Sequence, residues 1–241
     1  LAAMQSVTDL DLTQFKLWYS TAGTPTLAVT ESYDAQNACY SLTVRQSCAD
    51  TPGQTAKEPL HIPLVLGLLD SAGNEVAIEG RSSEHGVILD VKDREQTFHF
   101  QNITQPPIAS LLRGFSAPVK LEHDVSDETL SFLIAHDSDS FNRWEAGQRL
   151  AQRIILKVMN GENVTTAATG LSQALDALLK DSQLDPSFKA EALSLPTMDT
   201  VAEAVDRVNY TALIRAMDSV SGYLAEELFD QLSVLVKSGR R

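Results

Sequence analysis

The chain has 241 residues, 43% of them hydrophobic, and a formal net charge of −13. That length is within reach of two domains, and the apolar content excludes a disordered chain. The acid excess runs through both halves, so it repels phosphate backbones and anionic membrane surfaces and excludes nucleic acid and membrane as partners. No stretch approaches the ~18 apolar residues of a membrane helix.

Leu1-Ala-Ala-Met4 lacks the basic and apolar regions of a signal peptide. It reads as a chain entered midway. Residues 1–22 are expected to be helical, with a rough apolar stripe of Leu1, Met4, Leu10, Leu12, Phe15, Trp18 and Tyr19. Gly23-Thr-Pro25 ends that segment, because glycine closes a helix and the proline cannot continue it.

From residue 25 to about 122 the pattern is that of strands. Thr26–Thr30 leads through a connection at Glu31–Asn37 to Cys39–Gln46, where Tyr40, Leu42 and Val44 alternate with Ser41, Thr43 and Arg45. His61–Asp70 is almost continuously apolar, as in a strand covered on both faces, and Ser71-Ala-Gly-Asn74 turns it toward an expected strand at Glu75–Ile78. Val87–Val91, Gln96–Phe100 and Pro118–Glu122 complete seven short strands, the signature of a β-sandwich. Cys39 and Cys48 lie nine positions apart in or beside one extended stretch, too far to bridge without a turn, and are expected as free thiols of a reducing compartment.

From Ser126 the period becomes helical. The clearest segment is Phe141–Met159, with Phe141, Trp144, Ala151, Ile155, Val158 and Met159 expected on or near one face and Arg143, Gln148, Arg149 and Arg153 largely away from it. Asp139 or Ser140 caps its start and Asn160-Gly161 closes it. Further helices are expected at about 166–181, 186–194, 199–206 and 209–237, the last broken near Ser219–Gly222. Antiparallel helices with short connections make an all-α array.

No catalytic or metal-binding motif is legible. His61, His85, His99, His123 and His136 are at least 13 positions apart, so none forms the His-Glu-x-x-His pair that binds zinc from one helix face. Gly170-Leu-Ser172-Gln-Ala174 fails the nucleophile-elbow pattern at its last position. Asp137-Ser-Asp139 begins like a calcium loop, but Asn142 stands where its glycine belongs and Gln148 where its glutamate belongs. Asn102-Ile-Thr104, Asn163-Val-Thr165 and Asn209-Tyr-Thr211 match a glycosylation triplet that is too short to carry weight.

Four blocks, in order, resemble one family. They are Phe15–Pro25, Pro59–Pro63 with Leu69–Gly73, Leu111–Leu121, and His136–Gln148. The chain over about residues 1–160 is similar to bacterial alanyl aminopeptidases (the aminopeptidase N type), gluzincin metallopeptidases. The resemblance implies a multidomain β + α chain: residues 1–22 as the C-terminal tail of the zinc catalytic domain, 23–122 as an immunoglobulin-like β-sandwich, and 123–241 as the N-terminal part of a helical domain. It implies that the zinc motif, the amine-binding segment and the catalytic tyrosine lie upstream of Leu1. No catalytic, metal or substrate-binding residue is therefore assigned here. The positions carrying the family pattern are Trp18, Tyr19, Gly23, Pro25, Phe115, Pro118, Asp139, Asn142 and Trp144.

The implied whole enzyme is a bacterial, cytoplasmic, zinc-dependent peptidase. Its metal-bound water attacks the first peptide bond of a peptide substrate. In it this chain spaces the domains and begins a lid, with the rest of the same polypeptide as its partner. The alternative is an independent sandwich-plus-helix module that binds a protein or peptide. The reading frame upstream of Leu1 separates the two, since a His-Glu-x-x-His motif there belongs only to the enzyme.

Overall fold

The computed structural model describes residue 6 and residues 11–239. The chain divides into two compact units, residues 1–124 and 125–241.

The first unit is built from two four-stranded sheets. One has the order β6-β2-β1-β8 and the other β4-β5-β3-β7. The strands are β1 Thr26–Asp34, β2 Cys39–Ser47, β3 Ile62–Leu69, β4 Arg81–Ser82, β5 Val87–Val91, β6 Glu95–Phe100, β7 Ile108–Leu111 and β8 Lys120–His123. The alternation in β2 sends Tyr40, Leu42 and Val44 inward, where they join Leu27 and Val29 of β1. Ile62, Leu64, Leu66 and Leu68 of β3 meet them from the other sheet in a single apolar cluster. A side chain alternating at period two can bury only one face, which is why the outward set of β2 stays polar. The inward position after Val44 is Gln46. It remains buried because its side chain accepts from Leu60 N at 2.8 Å and donates to Leu60 O at 2.9 Å and Asp93 O at 3.0 Å.

Several boundaries differ from expectation. β1 runs on through Glu31 to Asp34, and the connection to β2 shrinks to a turn. The Asp34 carboxylate caps that turn, accepting from Gln36 N at 2.9 Å and Asn37 N at 3.2 Å. Glu75–Ile78 is not a strand. β5 occupies the edge of β3 from Ile62 to Leu66, so the returning chain makes only an isolated bridge, Leu69 to Glu75. β4, of two residues, and β7, of four, are strands that the sequence pattern did not mark. The expected helix at 1–22 is not found at 11–22, which holds a single 3₁₀ turn, Phe15–Tyr19. Its side chains are held by the sandwich instead: Gln14 donates to Pro59 O at 3.0 Å, and Leu17 and Trp18 pack on the apolar cluster. The expectation for Leu1, Met4 and Leu10 falls outside the described residues.

The second unit holds seven helices among the described residues: α1 Asp127–His136, α2 Ser140–Met159, α3 Val164–Lys180, α4 Pro186–Ala192, α5 Met198–Ala202, α6 Tyr210–Glu227 and α7 Phe229–Gly239. Six starts carry a side-chain cap, from Ser126, Asp139, Asn163, Asp185, Thr197 and Asn209 in turn. Each cap satisfies a backbone N–H that the helix cannot. Asn163 and Asn209, from the glycosylation-like triplets, have this capping role, and Asp139 accepts from Asn142 N at 3.0 Å. The break between the last two helices is at Leu228, not at Ser219–Gly222. Leu213, Ala216, Val220 and Leu224 hold one buried stripe across Gly222, and that packing outweighs the ~1 kcal/mol helix penalty of one glycine.

The face assignment of α2 is corrected in one respect. Arg143 is buried, 5% exposed, alongside Ala146, Gly147, Leu150 and Ile154. Its Nε donates to Ile134 O at 2.8 Å, its Nη2 to Ala135 O at 2.9 Å and its Nη1 to the Asp181 carboxylate at 3.0 Å. The arginine thus closes the C-terminal end of α1 and reaches the residue after α3.

Arg113 has the matching place in the sandwich. It is 2% exposed and lies across Gly67 of β3, where a Cβ would stand 2.0 Å from the guanidinium carbon. Nε donates to Ser110 Oγ at 2.7 Å and Nη1 to Glu75 Oε1 at 2.7 Å. A Gly67→Ala substitution is expected to displace the guanidinium and cost on the order of 3 kcal/mol, close to the cost of breaking a buried ion pair. In an Arg113→Ala background the same change is expected to cost less than ~1 kcal/mol, because the two sites share one interaction. Urea denaturation of the single and double variants measures the coupling.

Candidate functional site

The family-pattern positions fall into separate groups. In the first unit, the Trp18 indole N–H donates to His61 O at 2.9 Å, which fixes the 3₁₀ turn on the start of β3. Beside it Tyr19 is 79% exposed. Trp18, Tyr19 and Pro118 line a groove of about 250 Å³ together with Phe15 and Pro63. Phe115, 56% exposed, stands at the end of the turn that leads into Pro118. That turn is strained: Leu112 and Phe115 have φ of 58° and 50°, in the left-handed region that costs a non-glycine residue about 1–2 kcal/mol. The hydrogen bonds of Arg113, set between them, hold it in place.

Gly23 and Pro25 lie apart from this groove, at the entry to β1. Gly23 has a φ of 93°, which favours glycine, and a Cβ there would meet Cys48 Sγ and Lys57 Nζ at 3.4 Å. Lys57 donates to Ala22 O at 2.6 Å and Gln54 donates to Ser20 O at 2.7 Å, so the loop after β2 clasps the entering chain. Pro25 O accepts from Lys120 N at 2.9 Å, beside the parallel pairing of β1 with β8. Cys39 and Cys48 are both free.

In the second unit Asp139, Asn142 and Trp144 share the first turns of α2. Asn142 is buried. The Trp144 ring packs on Phe141 with centroids 5.8 Å apart, and its indole N–H is buried with no hydrogen-bond partner among the described residues.

Three titratable clusters were not legible, two because they join residues distant in sequence and the third because burial, not spacing, marks it. Glu31 accepts from Tyr40 Oη at 2.8 Å and from His123 Nε2. Burial pushes the Glu31 carboxyl up, but those two hydrogen bonds and the His123 charge outweigh it and hold the group below the usual carboxylate range. Burial, with the Glu31 charge, pushes the Tyr40 phenol up. His61 Nε2 donates to Asp90 Oδ1 at 2.7 Å, while its Nδ1 is buried without a partner among the described residues. Burial pushes the Glu145 carboxyl up, against the opposing charge of Arg149. Among the described residues no three His, Cys, Asp or Glu group as a metal site. None of these three clusters places a nucleophile beside a base; elsewhere Ser41 Oγ lies 2.8 Å from His99 Nδ1, both exposed on the paired strands β2 and β6.

A Glu31→Gln substitution removes a hydrogen-bonded carboxylate and is expected to cost about 1.5–3 kcal/mol at pH 7. A carboxylate held low in the folded state contributes stability above its unfolded pKa and loses it as the pH falls through the folded value. The difference between the variant and the parent is therefore expected to shrink below the ordinary glutamate value of 4.5. Urea denaturation at pH 7 and pH 3.5 measures it, and a constant difference contradicts the assignment.

No described helix is long and apolar enough to cross a membrane. The family described as a domain of unknown function (DUF3458) with an Ig-like fold matches residues 23–124, and its companion (DUF3458_C), described as ARM repeats, matches 127–241. Aminopeptidase N of Escherichia coli (strain K12) is 36% identical over 233 residues, 95% of this chain and 27% of its own length. Aminopeptidase N of Haemophilus influenzae is 33% identical over 95% of the chain and 27% of its own length. That of Caulobacter vibrioides is 36% identical over 96% of the chain and 26% of its own length. The crystal structure of Legionella pneumophila aminopeptidase A in complex with aspartic acid superposes with a TM-score of 0.78 at 29% identity, covering 94% of this chain and 25% of that one. The chain thus spans about a quarter of the length of the relatives it matches. The Ig-like family model thus matches the sandwich and the ARM-repeat model the helices, in that order, and over about 95% of its length the chain is homologous to bacterial aminopeptidase N.

Proposed function

We propose that the chain is the sandwich spacer and the start of the helical lid domain of a zinc aminopeptidase that removes N-terminal residues from peptides. The observation that carries the reading is the match of nearly the whole chain to about a quarter of aminopeptidase N from three bacteria. In this reading residues 1–22 are the tail of the catalytic domain, 23–122 the spacer, and 123–241 the first part of the helical domain. Its partners are the remaining parts of the same polypeptide, its substrates are peptides, and its compartment is the bacterial cytoplasm.

The side chains support a scaffold role. The strained turn at Leu112–Phe115 and the 3₁₀ turn at Phe15–Tyr19 leave Phe115 and Tyr19 exposed, and exposed aromatic side chains suit contact with a neighbouring domain. His61 pairs with Asp90 and His123 with Glu31, and among the described residues no three His, Cys, Asp or Glu group as zinc would require. Zinc belongs to the longer protein in this account, and no step of hydrolysis is assigned to the present residues.

The purified chain is expected to hydrolyse alanine p-nitroanilide no faster than buffer and to retain no zinc after dialysis. The same residues within a longer polypeptide that carries a His-Glu-x-x-His motif are expected to support turnover. Stoichiometric zinc together with turnover by this chain alone contradicts the reading.

A further inference from the structure

The two free cysteines of the sandwich differ in what surrounds them. Cys39 Sγ lies against Tyr40 O, Ser41 Oγ and Gln101 Nε2, so its described neighbours include no amine. Cys48 has a lysine amine in contact with it. Lys57 Nζ donates to Cys48 Sγ at 3.7 Å, to Ala22 O at 2.6 Å and to Ala49 O at 2.5 Å. An ammonium has three N–H groups, and these three acceptors take them all. The two carbonyls therefore hold the nitrogen beside the sulfur. Gly23 keeps the approach open, because a Cβ at that position would meet both Sγ and Nζ at 3.4 Å. Cys48 and Lys57 are each partly exposed, which admits a small polar oxidant.

A thiol paired in this way has chemistry that Cys39 lacks. Peroxide converts a thiol to a sulfenic acid, whose electrophilic sulfur condenses with a nearby thiol or nitrogen. The nitrogen in contact with Cys48 is Lys57 Nζ, and the sequence separation of nine positions is already closed by the loop that both residues flank.

We propose that Cys48 and Lys57 form a peroxide-responsive modification site, in which oxidation of the thiol ends in a covalent S–N bond between the two side chains. In the first step the sulfur attacks one oxygen of hydrogen peroxide. The S–O bond forms, the O–O bond breaks, and the second oxygen leaves as water with the thiol proton. The sulfur loses two electrons and the peroxide gains them. In the second step the Lys57 ammonium gives one proton to solvent and the amine attacks the sulfur. The S–N bond forms, the S–O bond breaks, and the hydroxyl leaves as water with a further proton from the nitrogen. Two equivalents of a thiol reverse the bond, regenerating the amine and the Cys48 thiol and leaving as their own disulfide. The linked nitrogen is neutral and keeps one N–H, so at least one of Ala22 O and Ala49 O loses its donor. The clasp on the chain entering β1 thereby becomes sensitive to oxidant. The site does not depend on the aminopeptidase reading, because both side chains and both carbonyls belong to this chain.

The test treats the full chain with hydrogen peroxide, blocks the remaining thiols with iodoacetamide and digests with trypsin. Cleavage after Arg45 and Lys57 normally releases residues 46–57. The linked product is expected as residues 46–81, uncut at Lys57 and about 2 Da lighter than the unoxidised sequence, for the two hydrogens lost. Dithiothreitol added before the blocking step is expected to restore the cut peptide. Dimedone, which traps sulfenic acids, is expected to capture a severalfold larger fraction of oxidised Cys48 in Lys57→Gln than in the parent, since the intermediate then persists. Cys39 is expected to be captured equally in both. The proposal is overturned if Cys48 is oxidised while Lys57 remains open to trypsin, if dimedone captures the same fraction of oxidised Cys48 in parent and variant, or if Cys48 does not react with peroxide. Each readout is a mass and none is turnover, so failure here is distinct from failure of the scaffold reading.

Discussion

A guanidinium withdrawn from water must find acceptors for its N–H groups, and both units of this chain are organised around one that does. In the sandwich, Arg113 crosses Gly67 and reaches Ser110 and Glu75, which lie on different segments. In the helical unit, Arg143 reaches two carbonyls at the end of α1 and the carboxylate of Asp181 after α3. Desolvating such a group is costly, and the cost is offset only when geometry is good at every donor. The elements that carry those acceptors are therefore fixed together. Gly67 is needed because the planar group lies where a side chain would begin. The left-handed residues Leu112 and Phe115 are tolerated because the arginine between them is so well held.

The same constraint explains what the sequence revealed and what it hid. Period-two alternation at Tyr40, Leu42 and Val44 and the apolar run of β3 are local signals, and they marked the strands that carry them. Strand β7 is four residues long, too short to show a period, and Glu75–Ile78 has a strand-like composition but no open sheet edge beside it. Phe15, Trp18 and Tyr19 suggested a helix because aromatic residues at such spacing fit one. The segment is instead held as a 3₁₀ turn by hydrogen bonds to His61 and Pro59, 43 and 45 positions away from Trp18 and Gln14. Helical periodicity sets Arg143 off the apolar face of α2, and arginine is rarely buried. Only the ends of α1 and α3, brought beside it by the fold, make its burial possible.

The candidate sites were less legible than the fold. Trp144 drew notice as part of a family pattern, but nothing in its spacing indicated an indole N–H without an acceptor. Glu145 is one carboxylate among many in an acidic chain, and burial alone distinguishes it. The pairs His61 with Asp90 and Glu31 with His123 each span strands far apart in sequence. Resemblance located the chain in its family, whereas the interactions that stabilise each unit emerged from the folded arrangement.

The central claim is that these units are scaffold for a longer protein, with the groove at Tyr19 and the exposed Phe115 as surface that meets another part of it. Hydrogen exchange followed by mass spectrometry on this chain alone and within the longer polypeptide tests that most directly. The account predicts that peptides covering residues 15–19 and 113–118 gain protection in the longer protein, while those of β2 and β3 exchange equally slowly in both. Equal exchange at residues 15–19 and 113–118 in the two settings would contradict it.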